Sequence, residues 1–224
     1  MTTVEPPPNP WISLDYVRDN WGDIASALSQ HTALTLQAVG IALALALPLA
    51  VVARFWSALE GPVIGTAAVL YTIPSLALFG MLAPVTGIGR TTVLIGLVAY
   101  ALLVLVRNTV VGLRAVPADV RDAARGQGYG RFRQLIAVEL PIALPAIIAG
   151  VRLATVTTVA LVTVGVVVGF GGLGQLMFRG LSTSYRAEVF TATILCLALA
   201  LVADLAIWLL GRAVTPWSRA RSAS

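Results

Sequence analysis

Residues 114–141 read RAVPADVRDAARGQGYGRFRQLIAVELP and form the one long polar stretch between apolar segments of this chain. Within it lies an ordered pattern: Asp122-Ala123-Ala124, three residues, Gly128, nine residues, Val138, one residue, and Leu140-Pro141. The stretch is too charged to lie in lipid, and its pattern is too regular for a passive linker. We therefore expect this loop to dock another protein.

The composition is that of a membrane protein. Of the 224 residues, 58% are hydrophobic and 11% are charged, and the mean hydropathy is +0.90. Soluble domains are roughly 45–50% apolar and about 25% charged. Several uncharged runs are long enough, at about 1.5 Å per residue, to cross a hydrocarbon core of about 30 Å. The chain is therefore predicted to be an all-α, polytopic membrane protein.

Five apolar runs predict five transmembrane helices, at about residues 31–53, 62–83, 91–113, 143–169 and 189–211. The fourth run is also compatible with a re-entrant piece plus a span, which would give six. Pro48 and Pro74 lie inside the first two runs, where kinks are expected. Two glycine pairs have GxxxG spacing, which indicates close helix packing or a subunit interface. They are Gly61 with Gly65 and Gly165 with Gly169.

The arginines predict the orientation of the spans. Nine arginines near span ends fall on one side: Arg54, Arg114, Arg121, Arg125, Arg131, Arg133, Arg212, Arg219 and Arg221. The positive-inside rule makes this side cytoplasmic. Because the net charge of +5 is concentrated on these short loops, we assign it to topology and not to nucleic-acid binding. The predicted location is the cytoplasmic membrane, with the N-terminus outside and a cytoplasmic tail at 212–224.

Residues 1–30 form the predicted extracytoplasmic segment. Its charged residues are mostly acidic: Glu5, Asp15, Asp19 and Asp23 against Arg18. No basic stretch precedes an apolar one, so a cleavable signal peptide is not expected. Residues 11–28 are predicted to form an amphipathic helix at the membrane interface, with aromatic residues at the level of the lipid headgroups.

The polar loop itself is predicted to contain two short helices joined by a glycine turn. Pro117 suits a first helical turn and Asp119 suits the positive end of the helix dipole, so a helix is expected to start there. Gly126 and Gly128 are expected to end it. A second, amphipathic helix is expected to stop at Pro141. Its apolar face contains Phe132, Leu135 and Ile136.

At these residues the chain resembles the permease subunits of ATP-binding-cassette importers. Their cytoplasmic loop carries Glu-Ala-Ala, three residues, Gly, nine residues, Ile, any residue and Leu-Pro. Here Asp122 replaces Glu and Val138 replaces Ile, with the spacing intact. The resemblance implies the MetI-like fold, the type I importer transmembrane domain, over residues 31–211. It also implies that the loop includes a coupling helix that contacts a separate ATPase; the alternative is a solvated basic loop that serves only topology.

The residues assigned to ATPase coupling on this basis are Asp122, Ala123, Ala124, Gly126, Gly128, Phe132, Val138, Leu140 and Pro141. Further stretches resemble the glycine betaine, carnitine and choline branch of the family. They are HTALTLQAVGIALALALPLAV at 31–51, YTIPSLALFGML at 71–82, VRNTVVGL at 106–113 and GFGGLGQLMFRGL at 169–181. The expected function is therefore import of a quaternary-ammonium osmoprotectant. The alternative within the fold is a permease for an amino acid such as methionine.

The resemblance also implies partners: two ATPase subunits, a second permease that is identical or homologous, and an extracytoplasmic binding protein. No cofactor, metal or nucleic acid is expected on this chain, and ATP is used by the partner. Gly126, Gly128 and Gly130 mimic a phosphate loop, but a Walker A site requires lysine and this chain has none. Gly169, Gly171 and Gly174 follow a membrane-length run and not a strand, which excludes a dinucleotide fingerprint.

Other function classes fit less well. A membrane-embedded enzyme would need clustered His, Cys, Asp or Glu, and the chain has one histidine and one cysteine. A stand-alone carrier would need an inverted repeat and coupling-ion carboxylates. We therefore expect a transport subunit without catalytic residues.

Five residues inside the spans are candidates for the translocation path: Tyr71, Pro74, Ser75, Asn108 and Asp204. Hydroxyl groups and a free carbonyl at a proline kink suit such a path, and buried ionisable groups need a reason to be there. Packing or a structural hydrogen bond is the alternative for each, and for Asn108 a hydrogen bond between helices is favoured. Arg107 and Arg152 are expected to extend towards the cytoplasmic surface.

Overall fold

The computed structural model describes residues 9–217, except for the side chains at positions 57, 60, 63, 67 and 70. Residues 1–8 and 218–224, and with them Glu5, Arg219 and Arg221, lie outside the described residues. The described part contains ten α-helices and no strand. They are α1 Leu14–Asp19, α2 Trp21–Phe55, α3 Ser57–Thr72, α4 Ser75–Thr86, α5 Arg90–Arg114, α6 Ala118–Gly126, α7 Arg131–Gln134, α8 Leu140–Val164, α9 Leu173–Ser182 and α10 Arg186–Val214. The all-α prediction is confirmed.

Four helical segments in the described part are long and apolar enough to cross a membrane: α2, α5, the continuous segment Arg131–Val168 and α10. They match four of the five predicted spans. The fourth predicted run is one continuous segment and not a re-entrant piece plus a span. The following helix α9, with 10 residues, is too short to cross.

The second predicted span is not one helix. It is divided into α3 and α4 at Ile73-Pro74, where the backbone of Pro74 is extended (φ −57°, ψ 135°). Proline disfavours helical conformation in the residue before it and has no N–H to continue the ladder. The expected kink at Pro74 is therefore a break, whereas α2 continues through Pro48.

The N-terminal segment also differs from its prediction. Residues 11–28 do not form one interfacial helix, because α1 ends at Asp19 and residues 21–28 belong to the long helix α2. The side-chain amide of Asn20 donates to the carbonyl of Tyr16 at 2.9 Å and caps the end of α1. This local cap interrupts the helix that periodicity alone predicted.

The core of the bundle is formed by α2, α5 and α8. Helix α2 contributes a stripe of buried alanines at intervals of three or four residues: Ala38, Ala42, Ala46, Ala50 and Ala53. Small residues let helix backbones approach closely, and such packing drives helix association in lipid. Gly150 of α8 has the same role, because a Cβ there would lie 2.6 Å from the Cβ of Asn108 on α5.

The two GxxxG pairs have different surroundings. A Cβ at Gly165 would lie 2.6 Å from the carbonyl oxygen of Phe170, so packing within the chain explains this glycine. A Cβ at Gly61 or Gly65 would meet no described atom within 4 Å. A subunit interface at Gly61 and Gly65 stays a prediction.

Candidate coupling loop and translocation path

The polar loop begins where α5 ends and forms helix α6 over Ala118–Gly126, as predicted. Pro117 directly precedes the helix. Asp119 lies in its first turn, where the negative side chain interacts favourably with the positive end of the helix dipole. Asp122 forms an exposed ion pair with Arg125 at 2.6 Å. Exposed pairs of this kind stabilise a fold by about 0–1 kcal/mol, so this one leaves Asp122 available to a partner. Ala124, by contrast, is buried.

A glycine turn follows α6. Gly128 has φ +78°, in the left-handed region that favours glycine. The amide of Gly128 donates to the carbonyl of Arg125 at 2.9 Å, and the amide of Tyr129 donates to that of Ala124 at 3.1 Å. These bonds close the end of α6 and redirect the chain into α7. The prediction that the glycines end the helix is confirmed.

The second loop helix does not stop at Pro141. Helix α7 continues through a π-helical turn, Leu135–Glu139, directly into α8, so the second half of the loop, from Arg131, and the fourth span are one helical segment. The amide of Leu140 bonds the carbonyl of Leu135, five residues back. This wider turn lies just before Pro141, which has no N–H to continue the hydrogen-bond ladder of the continuous helix. A displacement of α7 would therefore act directly on α8.

The apolar face of this segment is split. Leu135 is buried in the bundle, whereas Phe132 and Ile136 are 68% and 50% exposed. Sequence periodicity placed all three on one face, whereas in the structure only Leu135 faces the bundle. Phe132 and Ile136 therefore form, beside α6, an apolar surface that no described residue of this chain covers.

Glu139, which the sequence reasoning did not select, is the best-connected polar residue of the loop. It is buried and accepts two hydrogen bonds from Arg54 of α2, both 2.9 Å, and one from Gln134 at 2.8 Å. The two-point pairing fixes both orientation and distance. The sequence did contain a signal for this role: Glu139 is a single acidic residue directly before Leu140-Pro141, where an apolar run begins, and such a residue needs a partner.

A cavity of about 300 Å³ opens beside this cluster. It is lined by Arg54, Phe55, Arg125, Arg131, Gln134 and Glu139. Because the lining has more cations than anions, the cavity suits an acidic group. It brings the end of α2 together with both halves of the loop.

Three of the five predicted path residues meet at the break between α3 and α4. Tyr71 is exposed and packs edge-on against Tyr100 of α5, with ring centroids 5.7 Å apart. The Tyr100 hydroxyl donates to the carbonyl of Ile73, which directly precedes Pro74 and Ser75. A tyrosine on α5 that the sequence reasoning missed thus satisfies a carbonyl at the break.

Asn108 and Asp204 lie elsewhere. The Asn108 amide donates to the carbonyl of Val104 in its own helix at 2.8 Å, and among the described residues it forms no bond to another helix. Asp204 of α10 accepts two hydrogen bonds from Arg152 of α8, at 2.8 and 2.7 Å. The prediction that Arg152 extends to the membrane surface is therefore wrong, because its side chain bonds Asp204.

The bundle end opposite the polar loop carries a second ion-pair cluster. Arg179 of α9 donates to Glu188 of α10 at 2.6 Å and to Asp23 of α2 at 3.4 Å. Tyr16 of α1 lies beside them, and burial, followed by the charge of Glu188, raises the pKa of Tyr16 to about 12. Through Arg179, helices α9, α10 and α2 are thus joined at this end.

The glycine run after α8 is a packing turn. A Cβ at Gly174 would lie 2.5 Å from the carbonyl oxygen of Thr163, and one at Gly172 would lie 2.7 Å from the Cβ of His31. His31 is fully buried, and its Nε2 lies 3.0 Å from the carbonyl oxygen of Val159. Close approach of α2, α8 and α9 accounts for these glycines.

Comparison with known proteins agrees with this geometry. The family model described as "Binding-protein-dependent transport system inner membrane component" matches residues 38–218. The osmoprotectant import permease protein OsmW of Salmonella typhimurium strain LT2 is 40% identical over 206 residues, which cover 89% of this chain and 94% of the relative. The carnitine transport permease protein OpuCB of Listeria monocytogenes is 33% identical over 202 residues, 90% and 92% of the two chains.

A solved structure described as inward-facing conformations of the MetNI methionine transporter has the same fold. Its TM-score is 0.81 at 23% identity, and the match covers 91% of this chain and 100% of that one. The predicted MetI-like fold is confirmed. By its sequence, this chain belongs to the family of binding-protein-dependent transport system inner membrane components.

Proposed function

We propose that this chain is the membrane-spanning permease subunit of an ATP-driven importer for quaternary-ammonium osmoprotectants such as glycine betaine, choline and carnitine. One structural observation carries the proposal: the second half of the patterned loop, from Arg131, and the fourth span are one continuous helical segment, which is bound to α2 through Arg54 and Glu139. Movement of the loop by a partner would be transmitted to the transmembrane bundle. The names of the related permeases, which refer to osmoprotectants and carnitine, support the substrate class.

The loop supplies the expected contact with the ATPase. Helix α6 presents the charged pair Asp122 and Arg125, and the neighbouring segment presents Phe132 and Ile136. A short helix with an exposed apolar and charged surface suits a groove on a partner. Gly128 lies between the two parts and sets the angle at which they meet. We assign Ala123, Gly126 and Val138 to the same docking element, whereas Leu140 and Pro141 connect it to α8.

The distribution of charge supports the orientation. In the described part, the loop end of the bundle carries Arg54, Arg114, Arg121, Arg125, Arg131, Arg133 and Arg212. The opposite end also has cations, Arg18, Arg90, Arg179 and Arg186, but Asp15, Asp19, Asp23 and Glu188 balance them, and Arg179 pairs with Glu188 and Asp23. By the positive-inside rule the loop end is cytoplasmic, and α1 lies outside. In this multi-pass inner membrane protein, the binding protein would therefore deliver substrate at the end that carries α9.

We assign ATP hydrolysis to two partner subunits and the path to this permease with a second one. Tyr71, Pro74 and Ser75 are the lining residues that the structure favours, because they lie together at a helix break in a membrane protein. Asn108 and Asp204 have partners within the chain, which favours a structural role for both.

The test is uptake into proteoliposomes that contain the complete complex, with ATP supplied on the side of the ATPase. Labelled glycine betaine, choline, carnitine and methionine are offered separately, each with its binding protein. We expect ATP-dependent uptake of at least one quaternary ammonium compound and none of methionine. Methionine uptake without osmolyte uptake would favour the amino-acid alternative. Normal uptake by Gly128→Asp would contradict the coupling role of the loop.

A further inference from the structure

The cavity beside the Arg54–Glu139 pair lies at the edge of the hydrocarbon core. The apolar run of α2 ends at Arg54, and the run of α8 begins directly after Glu139. Because these two side chains are in direct contact, the two helix ends meet at one level. Both residues line the cavity, which is therefore at the height of the lipid headgroups.

The chain itself does not balance the positive charge of this cavity. Three of its four charged lining residues are cations: Arg54, Arg125 and Arg131. The fourth, Glu139, already accepts three hydrogen bonds. Arg125 is paired only with the exposed Asp122. Among the described residues, the guanidinium of Arg131 has neither a hydrogen bond nor an ion pair. The cavity therefore presents cations that are available to an anion.

An apolar border distinguishes a lipid from a purely ionic ligand. Phe55 lines the cavity, and Phe55 and the neighbouring Trp56 are 36% and 60% exposed. Tryptophan is enriched where a membrane meets water. An anionic phospholipid carries a charged phosphate and acyl chains in one molecule, so it would contact both the arginines and the aromatic border. A carboxylate of a partner protein, or a free phosphate, would leave that border uncovered.

The size of the cavity suits a headgroup. Its volume of about 300 Å³ is at the lower end of the range of ligand pockets, about 300–1,000 Å³, and is far larger than a water molecule needs. It would admit a phosphate with part of its headgroup, while the acyl chains would extend past Phe55 into the hydrocarbon core. Basic pockets between transmembrane helices on the cytoplasmic side are suited to anionic headgroups.

We propose that this cavity binds the phosphate of an anionic phospholipid from the leaflet at the loop end of the bundle. Arg125 and Arg131 contact the phosphate, and Phe55 contacts the acyl chains. The lipid bridges the end of α2, α6 and α7, and so holds the two halves of the loop at a fixed angle. Lipid binding goes beyond the proposed function, whereas the cytoplasmic side of this leaflet and any effect of the lipid on uptake rest on it.

The test measures lipid binding to the complete complex in detergent by native mass spectrometry. Phosphatidylglycerol is titrated, and phosphatidylcholine, which has a phosphate but no net charge, is the comparison lipid. Arg131→Gln removes one cation from the cavity. The matched control is Arg133→Gln in the same helix, because the guanidinium of Arg133 lies 4.4 Å from the ring centroid of Tyr129 and does not line the cavity.

We expect Arg131→Gln to weaken phosphatidylglycerol binding about fivefold, the factor that one arginine near an anionic membrane surface contributes. Binding to Arg133→Gln should match that of the unmodified complex. Binding of phosphatidylcholine should be the same in all three proteins, since the lost interaction is with net negative charge.

Three outcomes would overturn this assignment. Equal affinity of the two variants for phosphatidylglycerol would place the lipid elsewhere. Displacement of the lipid by an equal concentration of inorganic phosphate would mean that the cavity takes a free anion. Loss of the ATPase from Arg131→Gln, with phosphatidylglycerol binding equal to that of the control, would mean that an acidic group of the ATPase fills the cavity.

Osmolyte uptake by the unmodified complex in vesicles that contain phosphatidylglycerol is measured separately. ATP-driven uptake without lipid binding at the cavity would reject the site and keep the proposed function. Lipid binding that depends on Arg131, without uptake of any osmolyte, would reject the proposed function and keep the site.

Discussion

Arg54 holds the carboxylate of Glu139 through two hydrogen bonds of 2.9 Å, and this pair joins the end of α2 to the π turn that precedes α8. The residues are 85 positions apart in the chain. Glu139 is 3% exposed and Arg54 is 29% exposed, so the carboxylate is buried while the guanidinium retains some hydration. The pair makes the loop, α2 and α8 one mechanical unit.

Removing only the cation should be worse than removing both charges. Breaking a buried ion pair typically costs about 3–5 kcal/mol. We expect Arg54→Met to destabilise the protein by an amount near the lower end of this range, because Glu139 would stay charged without its cation. The double variant with Glu139→Gln should recover most of the loss, since no charge is then buried. Thermal unfolding in detergent measures both. Additive effects of the two substitutions would contradict the pairing.

Gly128 and Gly130 provide a matched pair of loop variants. Gly128 has φ +78°, whereas Gly130 is extended, and a Cβ at either would meet no described atom within 4 Å. A side chain in the left-handed region costs roughly 1–2 kcal/mol, so Gly128→Ala should change the angle between α6 and α7. We expect at least a tenfold loss of ATP-driven uptake for Gly128→Ala and near-normal uptake for Gly130→Ala. Equal uptake by the two would count against the turn.

Gly150 should tolerate no side chain. Gly150→Ala would place its Cβ 2.6 Å from that of Asn108 and should cost about 1–3 kcal/mol through overpacking. Gly40→Ala, at an open position in α2, should be neutral or slightly stabilising. Adding Asn108→Gly to Gly150→Ala should recover part of the loss, because no Cβ then faces the new methyl group, although a glycine inside α5 itself costs about 1 kcal/mol. Unfolding temperatures test the series, and failure of this rescue would reject the contact.

The break between α3 and α4 should depend on one hydroxyl. Tyr100→Phe leaves the part-buried carbonyl of Ile73 without its donor, which should cost less than the about 1–3 kcal/mol of a fully buried acceptor. Tyr71→Phe makes the same chemical change on the other ring of the pair. We expect faster hydrogen–deuterium exchange at residues 72–78 in Tyr100→Phe than in Tyr71→Phe. Indistinguishable exchange would mean that proline alone maintains the break.

Local features of the sequence predicted much of the fold. Four apolar runs became long helices, because length and hydropathy decide which segments cross a membrane. The start of α6 beside Pro117 and its end at Gly126 also followed from local chemistry, since capping and the dipole act within one helical turn.

The failures at the prolines have one cause in common. Proline had three outcomes: a break at Pro74, continuity at Pro48, and continuity at Pro141 after a π turn. A proline removes a hydrogen bond wherever it occurs, but its neighbours in space decide whether the helix re-forms around it. Tyr100 supports the break from another helix, and no periodicity within α3 or α4 contains that information.

Sequence by itself determined that this chain is a helical membrane protein with a patterned polar loop, because span length, charge and turn chemistry are short-range properties. Only the tertiary structure decided which charges meet. Glu139 pairs with Arg54, and Asp204 pairs with Arg152, across 85 and 52 positions respectively. A carboxylate within a membrane protein must find a cation, but helix packing alone brings a particular arginine within hydrogen-bonding distance.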